Sequence, residues 1–504
     1  MKICFLLQRR WVLIGHSFAH HLKKEFPDTE FCAVVQMRPS FEFLQKQKSI
    51  NYTELLLEED IHKKLFTEVL DLEYLRWLEK EFGIPNLWPY LYFDRVIMSG
   101  QLVREYPFNE PLLSRHDMMR RIQVTAKEII GFLDREKPDA LVISVIGSVA
   151  GSLLYFIAKK KGIKTINIDF PRIHNRISFS EDYRTITGAK KRFEEIVSGR
   201  KSPKKEEAEN FLKEFRDHPA PFHQMASPTF NNQTLRRANI QFLKPKKLLW
   251  SAYWYTTTFF KDIKKIQNND YTDIFVWWIL WDKLKRKIRG IIGYDDLYGA
   301  VDQHERFAFY PLHLDPEIAT MLYAPYYTDQ MHLIKQIARS LPIDMMLYIK
   351  EHPANVGYRT RTFYKELLKV PNVKLINPSV NGYDLARHAS LTVTITSTGG
   401  WESIMLKKPV ITFGDVYYND VPGVKRCKGY EELPHLIKTQ LEDWKHDETK
   451  LVDYISALLE DSVPVDYVDL WLKAESMEDV MRDNGIAMLS DALAIQLGLT
   501  RNTS

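Results

Sequence analysis

The chain has 504 residues, three to four times the size of an ordinary domain, which excludes a single small module and implies two large domains with additions. At 45 % hydrophobic and 27 % charged residues, the composition excludes both wholesale disorder and a polytopic membrane protein. Lys plus Arg (70) exceed Asp plus Glu (65) by only +5, too small a surplus for a dedicated nucleic-acid binder, so no nucleic-acid partner is expected.

The chain opens on an apolar strand from Ile3 to Leu7, followed by a loop, a helix around Ser17 to Lys24 and a strand from Phe31 to Val35. The first apolar run is too short for a signal-peptide core. Cys4, Cys32 and Cys427 show neither zinc spacing nor C-x-x-C, so a reducing, cytoplasmic compartment is expected. Residues 51–130 are rich in aromatic residues and helical patterning and read as a helical insertion. Ala140 to Ala158 carries no charge and is about long enough to cross a bilayer. Its first half, Leu141 to Ile146, is strand-like, Gly147 and Ser148 interrupt it, and Leu153, Leu154, Phe156 and Ile157 supply an apolar helical face. Lys159 to Lys161 suit a helix C-terminus, Gly162 stops it, and Lys164 to Asp169 begins another strand. This βαβ pattern implies a Rossmann-like domain over residues 1–200. The loops after Ile146 and Asp169 should face its ligand cleft, and the segment from Pro171 to Asp182 reads as a polar, basic loop.

Residues 201–304 interrupt the alternation. The stretch from Gly199 to Phe215 is rich in Lys and Glu, and Pro219 and Pro221 break the chain. Two aromatic-basic stretches follow. Lys244 to Ile266 holds Trp250, Tyr253, Trp254, Tyr255, Phe259 and Phe260, and Thr272 to Ile292 holds Phe275, Trp277, Trp278, Trp281 and the basic run from Lys283 to Arg289. They read as a helical pair with two uses. A hairpin packed between domains is the plainer one. The other is peripheral contact of 244–292 with an anionic membrane, aromatic rings at the headgroups and lysines on acidic lipid.

Alternation resumes over 305–430. Strands at Phe307 to Leu312, Met345 to Ile349, Val373 to Ile376, Leu391 to Ile395 and Pro409 to Phe413 are interleaved with helices at Thr328 to Ser340, Thr362 to Lys369, Gly382 to His388 and from Gly400. Residues 431–504 read as a helical tail. The fold expected is α/β, two Rossmann-like doubly wound domains facing a cleft, with helical insertions.

Two strand ends in the second domain carry the chemistry, Tyr348 to Pro353 and Thr394 to Ser403. The second puts the hydroxyls of Thr396, Ser397 and Thr398 and the glycines Gly399 and Gly400 at a helix N-terminus, where backbone N–H groups and the helix dipole favour phosphate. Glu402, one turn in, suits ribose hydroxyls. His352 ends its own strand, where a protonated imidazole stabilises charge on a leaving phosphate, and Pro353 restricts its backbone. Each segment alone has an ordinary structural reading, as a hydrogen-bonded loop histidine or a helix cap.

Together with Phe309 to Glu317 and Lys408 to Gly414, these segments resemble the capsule polysaccharide biosynthesis proteins, which include relatives of the bacterial capsule Kdo transferases. The resemblance covers about a quarter of the chain, all in its C-terminal half. It implies a glycosyltransferase-B fold with the nucleotide-sugar held mainly by the C-terminal domain. The His352-Pro353 pair and the Ser397-Thr398 segment also resemble phosphate-binding motifs of bacterial sialyltransferases, whose donors carry CMP. On that resemblance His313, Glu317, Lys350, Pro353, Thr396, Ser397, Thr398, Gly399, Gly400 and Glu402 bind the nucleotide-sugar, with His352 catalytic.

A general base should project from the N-terminal side. Asp169, at a strand end, is the first choice, with Glu181 and Asp182 in the following loop. Arg172, His174, Asn175 and Arg176 are candidates for an anionic acceptor. The sialyltransferases place an acidic pair before glycine, whereas Tyr294-Asp295-Asp296-Leu297-Tyr298-Gly299 separates pair from glycine by two residues and lies outside an N-terminal strand. No Asp-x-Asp triplet occurs, so no metal site and no tightly bound cofactor are expected, the nucleotide-sugar being a substrate. The function expected is an inverting, metal-independent glycosyltransferase of capsular or surface polysaccharide, cytoplasmic and peripheral on the inner membrane face. It would use a CMP-activated acidic sugar or a UDP-sugar and a glycan or glycolipid acceptor. The alternatives are a nucleotide-sugar epimerase and a non-catalytic polysaccharide-binding or export accessory.

Overall fold

The computed structural model describes residues 1–100, 111, 113–220, 244–265, 270–272, 276–302, 304–467, 470–471 and 476–500. Residues 101–110, the break at Pro221, and Ile266 and Phe275 of the aromatic stretches lie outside them. The chain divides into two compact units, Met1–Arg192 with Lys265–Ile274 and Leu458–Ser504, and Phe193–Lys264 with Phe275–Ala457.

The first unit is built on seven strands: β1 (Lys2–Leu7), β2 (Glu30–Val35), β3 (Tyr52–Leu57), β4 (Ala140–Ile143), β5 (Lys164–Asp169), β6 (Ile177–Ser180) and β13 (Ser462–Val463), the numbers from β7 to β12 belonging to the second unit. Their order is β13-β6-β5-β4-β1-β2-β3, parallel from β5 to β3, with β6 antiparallel to both β5 and β13. The parallel register sets Leu6 opposite both Val34 and Ile143. β1, β2 and β4 read as continuous apolar runs because both sheet faces are covered, and Ile3, Phe5, Phe31, Val35, Val142 and Ile143 are buried.

The first helix spans Trp11–Glu25 and begins earlier than expected, because Trp11, Ile14, Phe18 and Leu22 form one apolar stripe that packs into the sheet core. The helix Asn484–Leu497 packs into the same core through Ile486, Leu489 and Leu493.

The uncharged window from Ala140 resolves into β4 and a helix, Val149–Lys160, whose N-cap Ser148 accepts the N–H of Gly151 at 3.2 Å. Gly162 follows at φ +75°, the left-handed geometry glycine adopts without a Cβ clash. No described helix is long and apolar enough to cross a membrane.

Two expectations require correction here. Residues 51–130 are not wholly helical, because β3 occupies Tyr52–Leu57 on the sheet edge, where charged Glu54 and half-buried neighbours mask the strand pattern. Helices begin after it, at Glu58–Lys64, Leu72–Glu81, Trp88–Tyr92, Arg95–Ser99 and Arg115–Glu136. The segment from Pro171 to Asp182 is not simply a loop. It contains β6, whose Ile177 and Phe179 are buried.

The second unit carries β7 (Phe307–Pro311), β8 (Met346–Lys350), β9 (Val373–Ile376), β10 (Leu391–Thr394), β11 (Val410–Thr412) and β12 (Val424–Arg426), all parallel, in the order β12-β11-β10-β7-β8-β9. This is the doubly wound Rossmann order, and it places the topological switch point between β7 and β10, at whose carboxyl ends such sheets bind ligands. The expected helices stand at Gln330–Ser340, Arg361–Leu367, Gly382–His388 and Thr398–Met405. The C-terminal residues do not form one tail: the helix Leu433–Glu442 packs on the second core, while the chain from Leu458 onward belongs to the first unit and adds β13 to its sheet. The aromatic-basic stretches are helices Pro245–Lys265 and Val276–Ile292, and Trp250 (68 % exposed), Tyr253, Trp277 (61 %) and Trp281 stand open on them.

Candidate functional site

In the second unit the turn at Thr396 is bonded to His313, and His352 lies within the field of that ring. Beyond β7 the chain runs to His313, which is 6 % exposed. Its backbone is fixed by Gln330, whose Oε1 accepts the His313 N–H at 2.9 Å and whose Nε2 donates to the carbonyl at 3.2 Å. The ring reaches across the switch point, where Nε2 accepts the N–H of Thr396 at 3.0 Å and lies 3.3 Å from the hydroxyl of Thr394. A backbone N–H only donates, so Nε2 is bare and the ring proton sits on Nδ1. Burial, with the neighbouring charge of Arg359, pushes the His313 pKa down to about 3, and the ring is neutral.

On the other side of β7, β8 ends at Lys350 and is followed by Glu351 and His352. Glu351 is buried and its carboxylate takes the Arg359 guanidinium at 2.7 and 2.9 Å, the Tyr364 hydroxyl at 2.6 Å and the His352 N–H at 2.8 Å. Arg359 also donates to the His313 carbonyl at 2.8 Å, so one cation fastens the ends of β7 and β8 together. His352 precedes the turn Pro353–Asn355, and its Nδ1 accepts the N–H of Ala354 at 3.2 Å. That bond leaves Nε2 as the nitrogen that carries a proton.

Ser397 caps the helix Thr398–Met405: its Oγ accepts the Gly399 N–H at 3.0 Å and its carbonyl the Gly400 N–H at 3.1 Å. Those two N–H groups are therefore engaged by the cap, and the hydroxyls of Ser397 and Thr398 are the groups the turn presents. Gly400 is required by packing. A Cβ there would stand 2.6 Å from the Tyr418 hydroxyl and 3.0 Å from Thr394, so its small size answers to the core and not to a ligand. Thr396 is committed too, its hydroxyl donating to the Ala319 carbonyl at 2.7 Å and its N–H to His313. Thr396 and Gly400 are accordingly structural residues of this site.

Glu402 lies on the second turn of that helix, with the Tyr383 hydroxyl 3.3 Å from its Oε1. Burial raises its pKa to about 7, against the opposing pull of Tyr383 and of Lys350. Lys350 is shifted the other way, to about 8, by burial opposed by Glu351 and Glu402. A carboxyl and an ammonium that both titrate near neutrality thus lie within each other's field. Glu317 stands before the short helix Ile318–Met321, which carries the Ala319 carbonyl held by Thr396.

The first-unit candidates disperse. Asp169 ends β5, accepts the N–H of Phe170 at 2.7 Å and is raised to about 6 by burial, opposed by that bond and by Arg172. Arg172 lies over the Phe170 ring at 5.4 Å, and both Arg172 and His174 adopt left-handed backbone geometry, φ +56° and +44°. Asn175 donates to Asp466 at 2.8 Å, and Arg176 donates to Ser462 and to the Leu459 carbonyl, so both secure the returning C-terminal segment instead of lining an acceptor site. Asp182 is paired with Arg184 at 2.9 Å and pulled to about 2 despite its burial, a fully ionised ion-pair partner unsuited to a base. Glu181 is exposed, 3.7 Å from Lys164. Asp296 of the acidic pair binds Arg361 at 2.8 Å in the second unit.

Sequence reasoning missed Arg359, Gln330 and Tyr383. Arg359 had one readable signal: Glu351 follows a buried strand, and a buried carboxylate requires a cation nearby. Among the described residues no group of three or more His, Cys, Asp or Glu side chains is arranged to hold a metal ion.

Residues 283–440 match the family described as capsule polysaccharide biosynthesis protein. Protein FixF of Sinorhizobium fredii is 32 % identical over 122 residues, 24 % of this chain and 29 % of that protein, so the chain spans less than a third of that relative's length. The solved structures similar to the chain include the beta Kdo 2,4 transferase KpsC of Thermosulfurimonas dismutans, at 14 % identity and TM-score 0.36, covering 64 % of this chain and 80 % of that one. They also include the UDP-GlcNAc 2-epimerase of Methanocaldococcus jannaschii with UDP-GlcNAc and UDP, at 15 % identity and TM-score 0.27, covering 91 % and 99 %. The matched stretch, residues 283–440, is the part of the chain in which Lys350, His352, Ser397 and Glu402 stand.

Proposed function

We propose that the protein is a nucleotide-sugar-dependent glycosyltransferase of capsular or surface polysaccharide assembly. The observation that carries this reading is the bond of the Thr396 turn, next to Ser397 and Thr398, to His313 at the switch point of the second sheet, with His352 in the field of His313 and Lys350 in that of Glu402. In this reading His352 donates from Nε2 to the leaving phosphate, Lys350 supplies positive charge beside it, Ser397 and Thr398 bind its oxygens, and the Glu402 carboxylate accepts the ribose hydroxyls. The donor is a CMP-activated acidic sugar, with a UDP-sugar as the competitor. The transfer is a single inverting displacement without metal. Asp169, raised toward neutrality, is the base that deprotonates the acceptor hydroxyl of a glycan or glycolipid. The exposed aromatic-basic helices support peripheral contact with the cytoplasmic face of the membrane.

The experiment is a thermal-shift panel of the full chain with CMP, UDP, GDP and ADP, since a ligand bound only by the folded state raises its stability as RT ln(1 + [L]/Kd). One nucleotide should dominate, and His352→Ala should abolish transfer while keeping the fold. Undiminished turnover in that variant removes His352 from the reaction. Interconversion of free nucleotide-sugar without acceptor would instead identify an epimerase.

A further inference from the structure

The carboxyl edge of the first sheet holds polar groups that no interaction among the described residues satisfies. Its order, β3-β2-β1-β4-β5, puts a switch point between β1 and β4, the position at which an open parallel sheet offers a ligand crevice. β1 ends at Leu7 and is followed by Gln8 and Arg9, while β4 ends at Ile143 and is followed by Ser144, one register step beyond the pairing of Leu6 with Ile143.

Gln8 is 4 % exposed, yet among the described residues its amide Nε2 has no hydrogen-bond partner, and the buried hydroxyl of Ser144 has none either. An unsatisfied buried donor is costly, and its retention calls for a function. The Gln8 amide lies against the start of the helix that follows β4: a Cβ built on Gly147 would stand 3.1 Å from its Oε1, and one on Gly151 3.6 Å from its Nε2.

Arg9 adds charge to the same edge. It is half-buried, and among the described residues no carboxylate pairs with its guanidinium. Its neighbours Arg95 and Tyr271 act on it only through their fields, and burial together with the Arg95 charge lowers its pKa to about 10. A half-buried cation without a paired anion is unfavourable. Its backbone is also held at φ +47°, an uncommon region for a residue with a side chain, and one that persists where a side chain must be aimed. Asp94, next to Arg95, accepts the N–H of Val149 at 3.1 Å, so Arg95 too is carried to the start of that helix.

We infer that Gln8, Arg9 and Ser144 form an oxyanion subsite at the β1/β4 edge, which takes an acidic group of the acceptor, a phosphate or a sugar carboxylate. The assignment to the acceptor rests on reading the second unit as the nucleotide-sugar side. The oxyanion would receive the Gln8 amide and Ser144 hydroxyl as donors and the Arg9 guanidinium as a planar, two-pronged partner.

The test uses the full chain in thermal-shift titrations with inorganic phosphate and, separately, with glucuronate, at constant ionic strength set with chloride. The readout is the difference between wild type, Arg9→Gly, Ser144→Ala and the control Arg10→Ala, which cancels the general stabilisation that phosphate gives any protein. Glycine suits the left-handed backbone at position 9, so Arg9→Gly removes the charge without adding strain. Stabilisation of wild type and Arg10→Ala, with Arg9→Gly needing at least tenfold and Ser144→Ala several-fold more anion, supports the subsite. A response confined to phosphate or to glucuronate names the source of the oxyanion. No response to either anion, or equal responses in wild type, Arg9→Gly and Ser144→Ala, overturns it. Nucleotide binding by Arg9→Gly is measured alongside: its loss only in His352→Ala, with the anion response intact, bears on the nucleotide site and leaves the subsite standing.

Discussion

His313 accepts the backbone N–H of Thr396 through Nε2 at 3.0 Å, so the end of β7 is locked to the turn that presents Ser397 and Thr398. The bond specifies the Nδ1–H tautomer and a neutral ring. Nitrogen-15 NMR of the histidines should show one ring in that tautomer, unchanged from pH 8 to pH 5. Because the folded pKa, about 3, lies below the unfolded value of 6.5, the unfolded chain takes up this proton first. The contribution of His313 to stability is thus present above pH 6.5 and is lost as pH falls toward 3. His313→Ala should cost about 2–4 kcal/mol, from the cavity and the orphaned Thr396 N–H, and should weaken nucleotide binding. A cost under 1 kcal/mol in urea denaturation would show that the lock is dispensable.

The Arg359–Glu351 pair is buried on both sides, 9 % and 1 % exposed, and Arg359 joins Gln330 in donating to the His313 carbonyl. Arg359→Ala leaves a buried carboxylate without its cation and should destabilise the second unit by about 3–5 kcal/mol. The double variant Arg359→Met with Glu351→Leu should recover part of that loss, because it removes the uncompensated charge. Equal stability of the single and double variants would argue that Tyr364 and Asn355 suffice for Glu351.

Much of the second unit was legible because its strands are short apolar runs between clear helix signals, and Lys350, His352 and Ser397 fall at strand ends that periodicity alone locates. The site was less legible where one residue type serves two purposes. Gly400 reads as room for phosphate but is room for Tyr418, and the Thr396 hydroxyl reads as a donor but is spent on Ala319. β3 hid behind Glu54, because edge strands tolerate polar residues, and β6 hid behind the polar and basic residues that precede it. The return of the chain through β13, which ties Asn175 and Arg176, depends on contacts nearly 300 residues apart and has no local signature.

Glu402, near 7, and Lys350, near 8, predict a narrow pH optimum for nucleotide binding. On the proposed roles, below 7 Glu402 is protonated and would stop accepting ribose hydroxyls as a carboxylate, and above 8 Lys350 would lose the charge proposed to face phosphate. Calorimetric titration of the preferred nucleotide should give its tightest binding between these values, and Glu402→Gln should flatten the acid limb only. Stability carries the same signature. The folded state holds the Glu402 proton that the unfolded chain has released, so this term weakens the fold as pH rises from 4.5 to 7. The unfolded chain holds the Lys350 proton longer, so that term strengthens the fold from 8 to 10.5. Binding independent of pH between 6 and 9 would remove both groups from the nucleotide site.

Lys137 ends the helix Arg115–Glu136 at φ +44°, a left-handed cap with an exposed side chain. Lys137→Gly should raise stability by about 0.5–1 kcal/mol, since glycine takes this geometry without a Cβ clash. A fall in the denaturation midpoint would mean that the lysine side chain contributes more than its backbone costs.

The aromatic-basic helices give the last prediction. Trp250, Tyr253, Phe260, Trp277 and Trp281 are exposed, an arrangement that water penalises and a headgroup layer accommodates. Basic residues gather beside them: Lys283 lies 5.6 Å from the Trp254 ring centre, and Lys287 is pushed below the usual lysine range by burial and by the charges of Lys247 and Lys283. Anionic lipid would relieve that crowding, at about 1 kcal/mol per basic residue near the surface. The full chain should therefore cosediment with vesicles containing phosphatidylglycerol, bind neutral vesicles weakly, and release as salt shortens the screening length. Replacing Trp250, Trp277 and Trp281 by serine should reduce binding at every salt concentration, because it removes apolar insertion, whereas Lys247→Gln with Lys283→Gln should act chiefly at low salt. If the wild type fails to cosediment with anionic vesicles at low salt, the helices face protein and not lipid.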